Sequence, residues 1–158
     1  MSWPEIATLV PHSGPMLLLD RLISADADDL VAQLTIGAHS QFFDGAGVGS
    51  WVGIEYMAQA IAAHAGYGAL LRGEPVKVGF LLGARRYEVK RERFATGSVL
   101  HVHVHRAMQG DNGLGAFECR IEEIGPEPLA DVASATVTVF QPDNVHDFLQ
   151  GHSNEGAA

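Results

Sequence analysis

The chain has 158 residues, 47% apolar and 18% charged, with a formal net charge of −9. That length fits one globular domain with a sizeable core, and the apolar content excludes a disordered chain. The acidic balance lacks the basic footprint of a nucleic-acid binder, and the lone Cys119 excludes an internal disulfide, as in a reducing, cytoplasmic compartment.

No charged-then-apolar signal pattern opens the chain, since its first ten residues include Pro4 and Glu5. Trp3 to Leu9 predicts a short helical turn, with Ser2 as cap and Pro4 near the first helical position. PHSGP at 11–15 is a loop. Met16 to Ile23, a nearly continuous apolar run, predicts a buried strand. Leu30, Ala32, Leu34 and Ile36 then alternate with Val31, Gln33 and Thr35, which is strand spacing with one buried face. A Gly-rich loop over 37–49 leads to Ser50, an N-cap candidate.

Ser50 to Arg72 (SWVGIEYMAQAIAAHAGYGALLR) predicts one long helix, apolar nearly all round and therefore buried. Glu55, Gln59 and His64, with Gly53, Gly66 and Gly68, make it a poor membrane span. Beyond the break at Gly73–Pro75, 76–82 and 86–90 read as one bent strand or two short ones. Alternation over 100–105 and 117–122, and the β-branched run at 132–140, complete an antiparallel meander. The expected class is α+β, a single domain over 1–142 with a loosely ordered tail at 143–158.

Two stretches, PHSGPMLLLDR at 11–21 and GSWVGIEYMAQ at 49–59, carry a resemblance. They are similar to the P-H-R-x-P-F-L-L-V-D-R and P-G-V-x-x-x-E-A-x-A-Q stretches of the 3-hydroxyacyl-ACP dehydratases of fatty acid synthesis. Residues 78–100 resemble the next two strands of that family. The divergent dehydratase-like branch of aryl-polyene and other type II polyketide clusters, with its H-x-x-P-M-x-L-L-D and W-V-G-I-E-Y-M-A-Q stretches, looks nearer. The resemblance implies the hotdog fold, in which a curled antiparallel sheet wraps a central helix and two subunits pair. It implies dehydration of acyl-carrier-bound 3-hydroxyacyl thioesters, with no cofactor beyond the phosphopantetheine arm that enters with the substrate. The family's dyad histidine is absent; counting back by the family spacing lands on Gln41.

Dehydration needs a base for the C2 proton, an acid for the leaving hydroxyl and donors for the thioester oxygen. Glu55 is the expected acid, since burial raises a carboxyl's pKa and favours a protonated donor. Its plain structural alternative is a carboxylate satisfied by backbone or by Gln59, which lies one turn on. Helix N-terminal amides can supply the oxygen's donors, though they oppose that pKa rise. His12 is the first candidate to replace the lost histidine and His39 the second. Gln41, which cannot act as a base, and Ser50 are candidates for orienting substrate. The triplet His101, His103 and His105 lies on one strand face, read as polar outer surface rather than a metal site.

Arg85, Arg86, Lys90, Arg91 and Arg93 supply five of the ten basic residues, a candidate docking rim for an acidic acyl carrier protein. The expected assembly is a homodimer, or a heterodimer with another hotdog dehydratase. The other classes are a hotdog thioesterase, in which Glu55 activates water or attacks the thioester, and a non-catalytic subunit that pairs with an active dehydratase.

Overall fold

The computed structural model describes residues 3–76 and 79–141. The proposed tail at 143–158 lies outside the described residues, as does Ser2. After a 3₁₀ turn at Ile6–Thr8, a second at Gly14–Met16 leads to β1 (Arg21–Ala25) and β2 (Asp29–Thr35). β3 (Gly47–Gly49) and a 3₁₀ turn at Ser50–Val52 precede α1 (Gly53–Leu71). β4 (Phe80–Val89), β5 (Arg93–Ala95), β6 (Val99–Gln109), β7 (Leu114–Gly125) and β8 (Leu129–Phe140) follow. Six strands form one antiparallel sheet in the order β1-β2-β6-β7-β8-β4, and β3 pairs with β5 in a small second sheet.

The alternation read from sequence sets the sheet's inner face. Leu30, Ala32 and Leu34 of β2, Leu100, Val102 and Val104 of β6, and Phe117, Cys119 and Ile121 of β7 are all buried. They share one core with Tyr56, Met57, Ala60 and Ala63 of α1. Burial raises the Cys119 thiol to about 12, so it is an inert packing group.

The helix departs from its expected all-round burial. The sheet covers one side and the N-terminal segment covers Gln59 and Gly66, whereas Trp51 just before α1 and Leu70 and Leu71 at its end are exposed. Ser50 does not cap α1: a 3₁₀ turn intervenes, Val52 occupies the cap position, and no side chain caps there. Ser50 instead donates its backbone N–H to the Glu92 carbonyl, while its own carbonyl accepts the Tyr87 hydroxyl. Gly53 is required there, because a Cβ would overlap that hydroxyl.

The run at 16–23 becomes strand only from Arg21, because the chain before it is drawn onto α1 rather than into the sheet. Leu18 N–H donates to Gln59 Oε1, and Gln59 Nε2 donates to the Met16 carbonyl, each at 2.8 Å. The bent strand expected over 76–90 is β4, whose pairing with β8 shifts between Arg85 and Glu88, where Arg86 has φ 54°. The small β3–β5 sheet was not expected, since three residues in a Gly-rich stretch carry no period; Val48 and Phe94 anchor it, both at 0% exposure.

The N-terminal segment packs across α1 at Gly66, where a Cβ would overlap the Leu9 carbonyl. Trp3 reinforces that crossing by meeting Tyr67 edge-on at 5.9 Å. Gly66→Ala is therefore expected to destabilise the fold by about 1–3 kcal/mol, as overpacking of a closed contact does. Urea unfolding checks this, and an unchanged midpoint would contradict the crossing.

Candidate active site

Glu55 sits in the first turn of α1, where the helix dipole favours negative charge. Its side chain is 45% exposed in the protomer, so the chain alone does not enclose it as its apolar sequence neighbours suggested. The reason is the helix's half-burial: Glu55 faces a groove of about 850 Å³ rather than the sheet. His12 and Pro11 line that groove beside it. His12 Nε2 lies 3.7 Å from Glu55 Oε1, too long for a hydrogen bond. His12 Nδ1 is buried with no hydrogen-bond partner among the described residues.

Gln59 ties this corner together. At 1% exposure, its Nε2 donates to Glu55 Oε1 at 3.1 Å as well as to the Met16 carbonyl, and its Oε1 accepts Leu18 N–H. One amide therefore fixes the acid and the segment that follows His12. Gln59→Leu strands the half-buried Leu18 N–H, at about 1–3 kcal/mol, while the carbonyl of exposed Met16 can turn to water. A lower urea midpoint is expected, and one equal to wild type would show that Gln59 does not hold the segment.

The other candidates lie apart. His39 and Gln41 line a separate cavity of about 190 Å³ with Tyr56, and neither Glu55 nor His12 lines it. Within one protomer neither His39 nor Gln41 reaches the groove that Glu55 lines. None of the five basic residues proposed as a rim lines the Glu55 groove, whose cations are Arg72 and Arg106. Arg91 is bonded to buried Glu123 at 2.5 Å, and Arg93 to Asp44 at 2.6 Å. Arg85, Arg86 and Lys90 are exposed and form no ion pair among the described residues.

The three strand histidines face outward, and each has a partner: His101 with Gln33, His103 with Glu122, His105 with Asp29. Ligand atoms of His101, His103 and Glu122 come within 4.8 Å of one another. Arg120 lies in the same cluster, with its guanidinium 3.4 Å from His103 Nδ1 and 3.9 Å from Glu122, and its charge opposes a metal ion there.

Sequence reasoning missed His64 as a groove residue. Seven per cent exposed, it lines the same groove as Glu55, and its Nε2 lies 3.1 Å from the carbonyls of Asp26 and Ala27. The signal was an imidazole within an apolar helix, which counted only against a membrane span. No helix among the described residues is long and apolar enough to cross a membrane.

A curled antiparallel sheet around one long helix, with an acid at the helix start facing a groove, defines a hotdog-fold protein. The family model described as ApeP dehydratase, of the ApeP-like family, matches residues 4–150. The chain belongs to the ApeP-like dehydratase family. It is similar to a chain of the dehydratase heterocomplex ApeI:P from Xenorhabdus doucetiae, with 27% identity and a TM-score of 0.84, covering 94% of this chain and 97% of that one. The E. coli PaaI protein from the phenylacetic acid degradation operon is 18% identical, TM-score 0.56, covering 75% and 80%. A hypothetical thioesterase with coenzyme A from Streptococcus pneumoniae is 15% identical, TM-score 0.53, covering 77% and 86%. These last two likenesses concern the fold alone. No curated protein matches the chain.

Proposed function

We propose that the chain is a subunit of a dehydratase that removes water from 3-hydroxyacyl thioesters on acyl carrier protein, in aryl-polyene biosynthesis. The observation that carries this reading is the Glu55–Gln59–His12 corner opening onto one groove. His12, as the neutral imidazole, takes the C2 proton through Nε2. Glu55 gives a proton to the departing 3-hydroxyl, so water leaves and a 2-enoyl thioester remains. Gln59 orients the carboxyl. The phosphopantetheine arm arrives with the substrate, and the reading calls on no metal or organic cofactor.

Assembly completes the site in this reading. Glu55 is half-exposed, and Trp51, Phe42 and Met16 are exposed, with Phe42 and Trp51 in edge contact at 5.2 Å. A covering subunit would desolvate the acid and strengthen its interactions. The similarity to a chain of the ApeI:P heterocomplex favours a second, different hotdog dehydratase as that cover. Of the five proposed rim residues, Arg85, Arg86 and Lys90 are left to meet an acidic carrier.

The test is mass spectrometry of 3-hydroxyacyl-ACP incubated with the assembled protein and with its His12→Ala variant. Water loss by wild type that falls about 10²–10⁴-fold in the variant is expected for removal of a general base. Free thiol without an enoyl product would identify a thioesterase instead.

A further inference from the structure

Tyr56 is 2% exposed and its ring packs 5.8 Å from that of Phe94, yet its hydroxyl makes no hydrogen bond among the described residues. A phenol buried this deeply ordinarily finds a partner. The hydroxyl is not sealed off either, since His12 Nδ1 is the one fully buried, unpartnered side-chain polar atom among them. It reaches the cavity of about 190 Å³ that Tyr56 lines with His39 and Gln41. Burial, with Tyr87 and Asp20 nearby, holds the phenol above its usual pKa, so it keeps its proton and can donate.

The rest of the wall narrows the ligand. Asp20 is the one formally charged residue lining this cavity. Its Oδ2 accepts the Thr35 N–H at 2.8 Å, and its Oδ1 has no partner among the described residues. That carboxylate opposes a phosphate or a carboxylate here. Leu17, Leu18 and Leu34 supply apolar wall. One unanswered donor and one unanswered acceptor beside apolar surface match a secondary amide, which has one carbonyl and one N–H. The volume falls below the roughly 300–1,000 Å³ of sites that enclose a whole ligand, so the amide belongs to a longer molecule laid across the opening. Glu55 and Tyr56 are consecutive in α1, and the helix start presents one to the groove and the other to this cavity.

We propose that this cavity is a binding site for a secondary amide of the pantetheine arm. The Tyr56 hydroxyl donates to the amide oxygen, and Asp20 Oδ1 accepts the amide N–H. Both residues hold the arm and take no part in proton transfer. Taking pantetheine as the source of the amide rests on the carrier-bound reading above.

The test is an NMR titration of the full chain, with tyrosine rings and leucine methyls labelled. The probes are pantetheine and an analogue whose amide N–H groups are replaced by ester oxygens. Pantetheine is expected to shift the Tyr56 ring signals and the Leu17 and Leu18 methyls. Tyr56→Phe is expected to bind it about 5–10-fold less tightly, the worth of one neutral hydrogen bond. Wild type is expected to bind the ester analogue more weakly by at least that factor, a comparison that decides even should Tyr56→Phe fail to fold. Equal pantetheine affinity in wild type and Tyr56→Phe, an ester analogue that binds as well as pantetheine, or unmoved Tyr56 signals overturns the site. Pantetheine shifts at Tyr56 without water loss from 3-hydroxyacyl-ACP by the assembled protein would support the amide site and overturn the dehydration reading.

Discussion

Glu55→Gln is expected to lower kcat for water loss by about 10²–10⁴, the usual worth of a positioned acid, with urea stability close to wild type. Two observations separate chemistry from folding here. The carboxyl is 45% exposed in the protomer, so little of its interaction energy supports the core. Its hydrogen bond comes from Gln59 Nε2, and the Gln59 side chain stays held by Leu18 and Met16. An amide at position 55 keeps the shape and loses the transferable proton. A fall in kcat with KM nearly unchanged is the pattern of a group that acts in the transition state. A comparable fall in thermal stability would instead make Glu55 a structural carboxylate, the plain alternative its sequence context left open.

The largest effect on stability is expected from Arg91→Leu, about 3–5 kcal/mol by denaturant unfolding, because it strands a buried charge. Glu123 is 2% exposed and held by Arg91 at 2.5 Å, by the Ser98 hydroxyl at 3.2 Å and by the Glu127 N–H at 2.9 Å. Removing the guanidinium leaves a carboxylate in the core with two neutral donors. The double variant Arg91→Leu with Glu123→Leu should recover much of the loss, since an apolar pair of similar volume is often neutral or stabilising. A single variant as stable as wild type would mean that solvent reaches Glu123. The same pairing explains why Arg91 is not free to meet a carrier protein.

The strands and the helix were legible because their signals are local. The inward alternation of β2, β6 and β7 follows directly from a period of two, and the 51–71 run carries helical spacing with few polar interruptions. What sequence could not show was which side of an apolar helix the sheet covers. Alanines dominate both sides of α1, so Glu55 reads as buried where it is half-exposed. The strand expected at Met16 fails for a tertiary reason: Gln59, more than forty residues away, takes the hydrogen bonds that a sheet neighbour would have taken.

The site was partly legible. The motif resemblance brought out Glu55, His12 and Gln59, and these three meet at one corner. Gln41 came from the family's spacing back from Glu55 and His39 from its nearness to Gln41, and the chain places both in a different cavity. The basic run at 85–93 looked like one surface, but its members point to different partners: Arg91 to Glu123, Arg93 to Asp44. His64 carried no spacing to any other polar group, and only the fold puts it in the groove.

The central claim is that this chain supplies a working acid to a paired hotdog dehydratase. Its most direct test is the rate of water loss from 3-hydroxyacyl-ACP as a second hotdog dehydratase subunit is titrated into wild-type chain and into Glu55→Gln chain. The rate is expected to rise to a plateau with wild type and to stay near zero with the variant, although both assemble to the same size. Equal plateaus would contradict the claim and make this chain a structural partner of an acid held elsewhere.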